Sequence, residues 1–535
     1  MPRSTRDVPC AVGFIGQFVN KFCPCRQSTR LLWHKGVILG LTYMAYMCYH
    51  LTRKPISVVK NVLSVNCSSL SPPPDVPVNS SNRDTWCDWA PFDTRDAPAL
   101  LGTLDSAFLF AYAGAMFLSG FIAERVNLRY FLALGMLTSG IASYLFGIAR
   151  AYNIHSLFYF VLVQAFGGVC QTTGWPGVVT IVGNWFGKGK RGLIFGIWNS
   201  HTSIGNILGS VIAAQYVETD WGLSFIVPGA IMGFCGFLIF LFLVPSPENI
   251  GYTSPASLGY RKIDVPGSSD ESNAGDEEAR DVRDDTVYRR GCHQQNDVHD
   301  LPEQGSETSP MLCINRQNSK NERPIGFAGA INIPGVMEYS FSLFFAKLVS
   351  YTFLYWLPLY ISASTTLSPS ESANLSTLFD VGGIAGAIVA GLLSDYSGMS
   401  ALTCTAMLAL AVPALFLYDY LGHVSYGVNV LLLLVAGFLV NGPYALITTA
   451  VSAELGTHPS LGDSSRALAT VTAIIDGTGS IGAAVGPLLA GLVSGYYGWH
   501  NVFYMLMAAD VLALLLLSRL VYRDVRLLIQ RRWAL

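Results

Sequence analysis

The sequence predicts an all-α polytopic membrane protein in which 12 transmembrane helices form two pseudosymmetric six-helix bundles. Three observations carry that prediction. Of 535 residues, 51% are apolar and only 13% are Asp, Glu, Lys or Arg, with a mean hydropathy of +0.41. Soluble domains carry about 25% charged residues. Twelve apolar runs, six on either side of one long polar gap, are each long enough to cross a bilayer, which takes about 20 residues. The two sets of six also echo one another in sequence.

The runs fall at 36–58, 98–121, 129–149, 155–180, 191–215 and 222–243, then at 334–360, 374–394, 400–420, 425–450, 466–494 and 500–520. Arg3, Arg6, Lys21, Arg26, Arg30 and Lys35 precede the first run. That run is too long for a cleaved signal and is expected to stay as the first span. The expected organisation is an N-terminal segment 1–35, a bundle 36–243 with a long loop 60–97, a linker 244–330, a bundle 331–520 and a tail 521–535. The linker contains SSDESNAGDEEARDVRDD, whose low apolar content predicts disorder.

Orientation follows from Lys and Arg in the short loops. The basic N-terminus, ERVNLR (Glu124–Arg129), GKGKR (Gly187–Arg191) and the tail with Arg519, Arg523, Arg526, Arg531 and Arg532 all fall on one side of a twelve-span chain. Both termini and the linker are therefore expected in the cytoplasm. Loop 60–97 falls opposite and carries two glycan acceptor patterns, at Asn66 and Asn79. Cys67 and Cys87 in the same loop are positioned to pair in an oxidising lumen.

The halves repeat at matched places. The second span ends LSGFIAERVNLR and the eighth ends VAGLLSDYSG, each with small residues, then an acid (Glu124 or Asp395) and a turn. The fourth, QTTGWPGVVTIVGNWFG, is matched by the tenth, NGPYALITTAVSAELG. A duplicated unit of this kind rocks about a central site.

Polar residues inside apolar spans are the candidate site. Tyr46, His50, Arg53 and Ser57 recur at i, i+4, i+7 and i+11 on one face, flanked by Tyr49. A guanidinium binds phosphate through paired N–H bonds, and tyrosines donate to further oxygens. The competing reading of Arg53 is a cation snorkelling to the far surface, about 27 Å of helix beyond Lys35. Lys54 points away from that face and reads as a surface or domain-interface cation. Lys347 sits in LFFAKLVSYTF as a phosphate ligand or as half of an ion pair, with Asp380 as a candidate partner. His201 is either a phosphate donor or a helix-interface histidine. Trp175, Tyr351 and Tyr355 are cavity candidates, and Asp105, Asp380 and Asp476 are candidates for coupling or gating. Gln164, Gln171 and Asn206 are further polar residues within spans.

Other chemistry is excluded. Net charge of −2 gives no pull toward nucleic acid. Eleven cysteines show no CxxC or zinc-ligand spacing, so no metal is expected. GKGK at Gly187–Lys190 does not fit GxxxxGK[ST], and no catalytic triad is present. No enzyme activity and no cofactor are expected.

YHLTRKPISVVK, QTTGWPGVVTIVGNWFGKGKRGLIFGIWNSHTS, KLVSYTFLYWLPLYI and STLFDVGGIAGAIVAGLLSDY resemble the sugar-phosphate exchangers of the major facilitator superfamily. These are the endoplasmic-reticulum glucose-6-phosphate:phosphate antiporters, related to bacterial glycerol-3-phosphate and hexose-phosphate antiporters. The resemblance runs from about residue 30 to 525 outside the linker. It implies a major facilitator fold, an endoplasmic-reticulum membrane location, and exchange of glucose 6-phosphate or a related organophosphate for inorganic phosphate. It implies Arg53 as one phosphate clamp. The second bacterial clamp is an arginine in the seventh span, where this chain has Ser350, with Lys347 one turn earlier. The substrate-linked histidine of the antiporters falls at Thr202, with His201 beside it. The departure at Ser350 keeps other readings open: a proton-coupled sugar or organic anion transporter, a channel, or a transport-inactive receptor or scaffold.

Overall fold

The computed structural model describes residues 8–9, 11–14, 27–64, 89–93, 96–123, 125–186, 197–252, 327–456 and 468–533. They belong to one compact unit made of 1–259 and 322–535. Among the described residues there are helices and no strands. The sites at Asn66, Cys67, Asn79 and Cys87, the loop acid Glu124 and the centre of the linker lie outside them.

In the first half the helices are α1 (Gln27–Arg53), α2 (Pro55–Leu63), α3 (Ala97–Ala123), α4 (Leu128–Ala151), α5 (Leu157–Gln171), α6 (Gly174–Phe186), α7 (Ser200–Tyr216) and α8 (Leu223–Phe242). In the second they are α9 (Phe327–Ile331), α10 (Val336–Ser364), α11 (Pro369–Ser397), α12 (Ser400–Leu421), α13 (Tyr426–Leu446), α14 (Ser452–Leu455), α15 (Leu468–Tyr497), α16 (Trp499–Leu516) and α17 (Ser518–Trp533). Among the described residues, ten helices or helix runs are long and apolar enough to cross a membrane. The remaining two predicted spans correspond to α1–α2 and α7, whose polar residues build the site below.

Two boundaries differ from expectation. The first span does not end near 58: helix continues to Leu63, so Lys60 belongs to a helix and is buried rather than part of a loop. The linker is trimmed at both edges, by a short 3-10 turn at Pro247–Ile250 and by α9.

Local chemistry sets the helix ends. Asn127 caps α4 by accepting from the Arg129 N–H. Ser368 and Glu371 form a reciprocal capping box on α11, with Pro369 in the first turn, and Gly398 closes that helix at φ 65°. The fourth member of each half is irregular at its centre. In the first half α5 stops at Gln171 and α6 begins at Gly174. In the second, Pro443 lies inside α13 and a π turn follows at Ile447–Val451. Proline removes a backbone donor and leaves the carbonyl one turn earlier without its helical partner.

The halves meet through α3 against α15, α7 against α11, and α2 against α10. Small residues permit the approach. Gly102 of α3 and Gly491 of α15 lie against one another, and a Cβ on Gly491 would collide with the Pro98 carbonyl. The direct cross-half hydrogen bonds gather toward the end where α2 finishes and α3 begins. Ser106 donates to the Ala484 carbonyl at 3.1 Å and Ser210 to the Ala373 carbonyl at 2.9 Å. Phe158, Leu162, Phe166, Leu134 and Ile141 face outward as an apolar belt, while Tyr396, Tyr496 and Tyr497 stand exposed at helix ends. That distribution suits acyl chains bounded by interfacial aromatics.

Candidate functional site

Two prolines set the backbone of the site. Pro55 has no N–H to offer the Leu51 carbonyl, so the first span breaks at Lys54. Gly209 of α7 packs against that carbonyl, leaving no room for a Cβ. Pro358 likewise leaves the Leu354 carbonyl of α10 without its helical donor. Lys54 fills the vacancy from the other half, its Nζ donating to Leu354 O at 3.0 Å. Lys60 donates to the next carbonyl, Tyr355 O, at 3.1 Å, and its ammonium stands 4.0 Å from the centroid of the Trp356 ring.

Four cations are buried at this interface: Arg53, Lys54, Lys60 and Lys347, at 3, 1, 0 and 2% exposure. Three answer to carboxylates. Lys60 pairs with Asp105 of α3. Lys347 pairs with Asp476 of α15 at 2.6 Å and reaches Ser480 at 3.3 Å. Asp380 of α11 lies within electrostatic reach of Lys54 and accepts from Asn206 at 2.8 Å. Of the two readings of Lys347, the ion pair is the one present, and its acid is Asp476 and not the candidate Asp380, because α15 packs along α10 while α11 faces α7.

Arg53 has no carboxylate partner among the described residues. Its Nε donates to Gln171 at 2.6 Å and its Nη1 to the Tyr351 hydroxyl at 3.4 Å. The guanidinium carbon lies 4.8 Å from the Tyr112 ring centroid. Nη2 is buried with no hydrogen-bond partner. Helix runs about 15 Å beyond Arg53, so the side chain is held inside the bundle and does not snorkel.

The halves repeat this arrangement. In the first, His50 of α1 bonds Asn206 of α7 at 3.0 Å, and Arg53, one turn on, bonds Gln171 at the end of α5. In the second, Lys347 of α10 bonds Asp476 of α15, and Ser350, one turn on, bonds Asn441 of α13 at 2.7 Å. Each half therefore holds an i, i+3 pair between an amide on its fourth span and a polar residue on its fifth. The cation occupies the second position in the first half and the first position in the second.

A small cavity lies between the halves. His50, Thr202, Asn206, Ser350, Tyr351, Asp380, Asn441 and Tyr444 contribute to its walls. Tyr351 separates it from Arg53. The rings of Tyr351 and Tyr444 each stand 5.8 Å from the Lys347 ammonium. Two cations thus lie directly behind a tyrosine wall.

The other candidates are distributed around this centre. Tyr46 packs 5.3 Å from His50, 5.1 Å from Trp175 and 4.8 Å from His201 by ring centroids. Tyr49 shares a hydrogen bond with Thr173 at 2.8 Å. His201 turns into this aromatic cluster, its Nδ1 3.2 Å from the Thr202 hydroxyl, while Thr202 faces the cavity. Trp175 lines neither this cavity nor the one described further below, and Tyr355 lies outside the one between the halves. Sequence reasoning passed over Lys60, although it lies seven residues beyond Arg53 on the same face. It also passed over Asn441 and Tyr444, whose signal was the match of their segment to the fourth span.

The sequence model of the Major Facilitator Superfamily matches residues 91–331 and 339–530. The chain is 53% identical to glucose-6-phosphate exchanger SLC37A2 of Bos taurus over 494 residues, covering 92% of this chain and 95% of the relative. It is 53% identical to the Homo sapiens SLC37A2 over 500 residues, 94% of each chain. It is 48% identical to the Homo sapiens glucose-6-phosphate exchanger SLC37A1 over 515 residues, 92% of this chain and 93% of the relative.

Removing one member of a buried ion pair strands the other, at about 3–5 kcal/mol. Asp105→Asn should therefore lower the thermal unfolding temperature of purified protein markedly. The apolar double replacement Lys60→Met with Asp105→Leu should recover most of the loss. A single variant as stable as the parent would refute this role for the pair.

Proposed function

The chain belongs to the major facilitator superfamily and, within it, to the family of the glucose-6-phosphate exchangers, and on that footing we propose that it exchanges glucose 6-phosphate or a related organophosphate for inorganic phosphate by alternating access. The observation that carries the reading is Arg53, a buried guanidinium with an unpartnered nitrogen, one tyrosine away from the cavity between the halves.

The physics supports an exchanger. A sugar phosphate crossing hydrocarbon would lose the water around its charge, so a protein must offer it a polar path. Arg53 supplies fixed positive charge, and Lys347 supplies a second cation whose present partner is Asp476. A phosphate entering the cavity competes with the Tyr351 hydroxyl for Arg53 and with Asp476 for Lys347. The long 3.4 Å bond to Tyr351 is the weaker of Arg53's two side-chain bonds and the easier to exchange. Neutralising the excess cation favours rearrangement of the halves, and an empty site opposes it. The ligand shifts the equilibrium by binding the conformations unequally. No covalent step is involved.

A second reading draws on Asp380, which stands on the cavity wall against Asn206. A carboxylate there suits proton-coupled uptake of a neutral sugar. Such a transporter would respond to an imposed pH gradient and would not depend on Arg53.

We place the protein in the endoplasmic-reticulum membrane, with both termini cytoplasmic and loop 60–97 lumenal. The sequence resemblance supports the location, and the loop charges support the orientation. Cross-half contacts near α2 and α3 then make the present conformation closed toward the lumen. Glycosidase treatment of membranes should shift the mobility of the parent and leave an Asn66→Gln, Asn79→Gln variant unchanged. A parent without any shift would count against this orientation.

The transport test uses purified protein in liposomes preloaded with phosphate. Labelled phosphate and glucose 6-phosphate should enter only when internal phosphate is present, and Arg53→Ala should reduce entry at least 100-fold while remaining folded. Asp476→Asn frees Lys347 from its carboxylate, so its KM for phosphate should fall several-fold while maximal exchange slows. Entry without internal phosphate, or full activity in Arg53→Ala, would reject the exchange mechanism.

A further inference from the structure

Arg53 lines a second cavity, which shares no lining residue with the one between the halves. This inner cavity lies within the first half, among α1, α2, α3, α4, α5 and α8, and among the described residues Tyr355 of α10 is its one contribution from the second half. Its polar groups are Arg53, Thr52, Gln171, Ser139, Ser143, Gln164 and Tyr355, and among the described residues no acid lines it. Several are already satisfied. Gln171 accepts from Arg53 and donates to Thr52 at 3.0 Å, and Ser139 donates to the Gly135 carbonyl at 2.7 Å. Arg53 Nη2 remains, fully buried and without a partner. Gln164 and Ser143 line the same space, and neither makes a hydrogen bond to the other described residues. Phe108, Phe146, Val163 and Phe225 close the remaining wall.

We propose that this inner cavity is a binding site for a small inorganic monoanion of the halide class, held by Arg53 Nη2 with the Gln164 amide and the Ser143 hydroxyl. One positive charge and two neutral donors balance a single negative charge, whereas a phosphate dianion would be left with a net charge in an apolar enclosure. The apolar wall favours anions that give up water readily. The proposal gives Arg53 a place in the inner cavity, one tyrosine away from the cavity between the halves. Where Arg53 also serves phosphate exchange, a bound halide neutralises it from behind and opposes phosphate.

The first measurement is independent of transport. Purified protein is unfolded thermally in potassium bromide, potassium chloride or potassium gluconate at equal ionic strength. Bromide and chloride should raise the unfolding temperature saturably over gluconate in the parent. Gln164→Leu should abolish the rise, and Ser143→Ala, a smaller change for the fold to accommodate, should weaken it. In phosphate-loaded liposomes the halides should raise KM for phosphate several-fold in the parent and leave it unchanged in Gln164→Leu. Absence of halide stabilisation in the parent, or equal stabilisation in both variants, overturns the inner site. Stabilisation lost in the variants from a protein that does not exchange phosphate would leave the inner site standing and refute only the transport reading.

Discussion

A charge taken out of water into a bilayer must meet an opposite charge or a set of fixed dipoles, and the centre of this protein is organised around that requirement. Four buried cations stand where the halves meet, and three carboxylates answer them. The arithmetic leaves Arg53 in excess, held by an amide, a tyrosine hydroxyl and aromatic faces. Neutral partners lower the cost of burying a guanidinium without cancelling its charge. A site of this kind is stable enough to exist empty and still better satisfied by an anion, which is the thermodynamic condition for a ligand-dependent change of state.

Backbone chemistry decides where those cations can reach. A proline in each of two helices leaves a carbonyl without its helical donor. One of these, at Leu354, accepts from Lys54 across the interface. The other, at Leu51, lies against Gly209, which has no side chain to keep α7 away. The same close approach brings Asn206 to His50 and to Asp380. Helix breaks, small residues and buried charges are thus parts of one arrangement, in which irregular backbone occurs where protein rather than lipid surrounds it.

The two halves use one plan with different charges. Arg53 on Gln171 corresponds to Ser350 on Asn441, and His50 on Asn206 corresponds to Lys347 on Asp476. The serine standing where the resemblance expects an arginine is therefore in a site that kept its amide support. The cation of the second half stands one turn earlier along α10 and is paired with its own acid, Asp476. It is a point charge and not a planar fork, and it is neutralised where Arg53 is not. This asymmetry places the excess charge on one side of the cavity.

Hydropathy and charge pattern by themselves determined that the chain spans a membrane and which few polar residues stand inside its apolar helices. Those properties are local, since an apolar run must cross lipid wherever it lies in the chain. The polar character of α1–α2 and α7 was legible for the same reason: charge in such a run has no neutral explanation. Pairing was not legible. Lys60 lies 45 residues from Asp105, Lys347 129 from Asp476, and Arg53 298 from Tyr351. Reading along the chain put Lys60 in a loop, offered Lys347 Asp380 as a candidate acid, and left open for Arg53 a position near a surface beside its reading as a ligand. Only the packing of α2, α10 and α15 decided these matters. An ion pair depends on the distance between two side chains, and across such separations that distance is set by how helices approach one another and not by their order in the sequence.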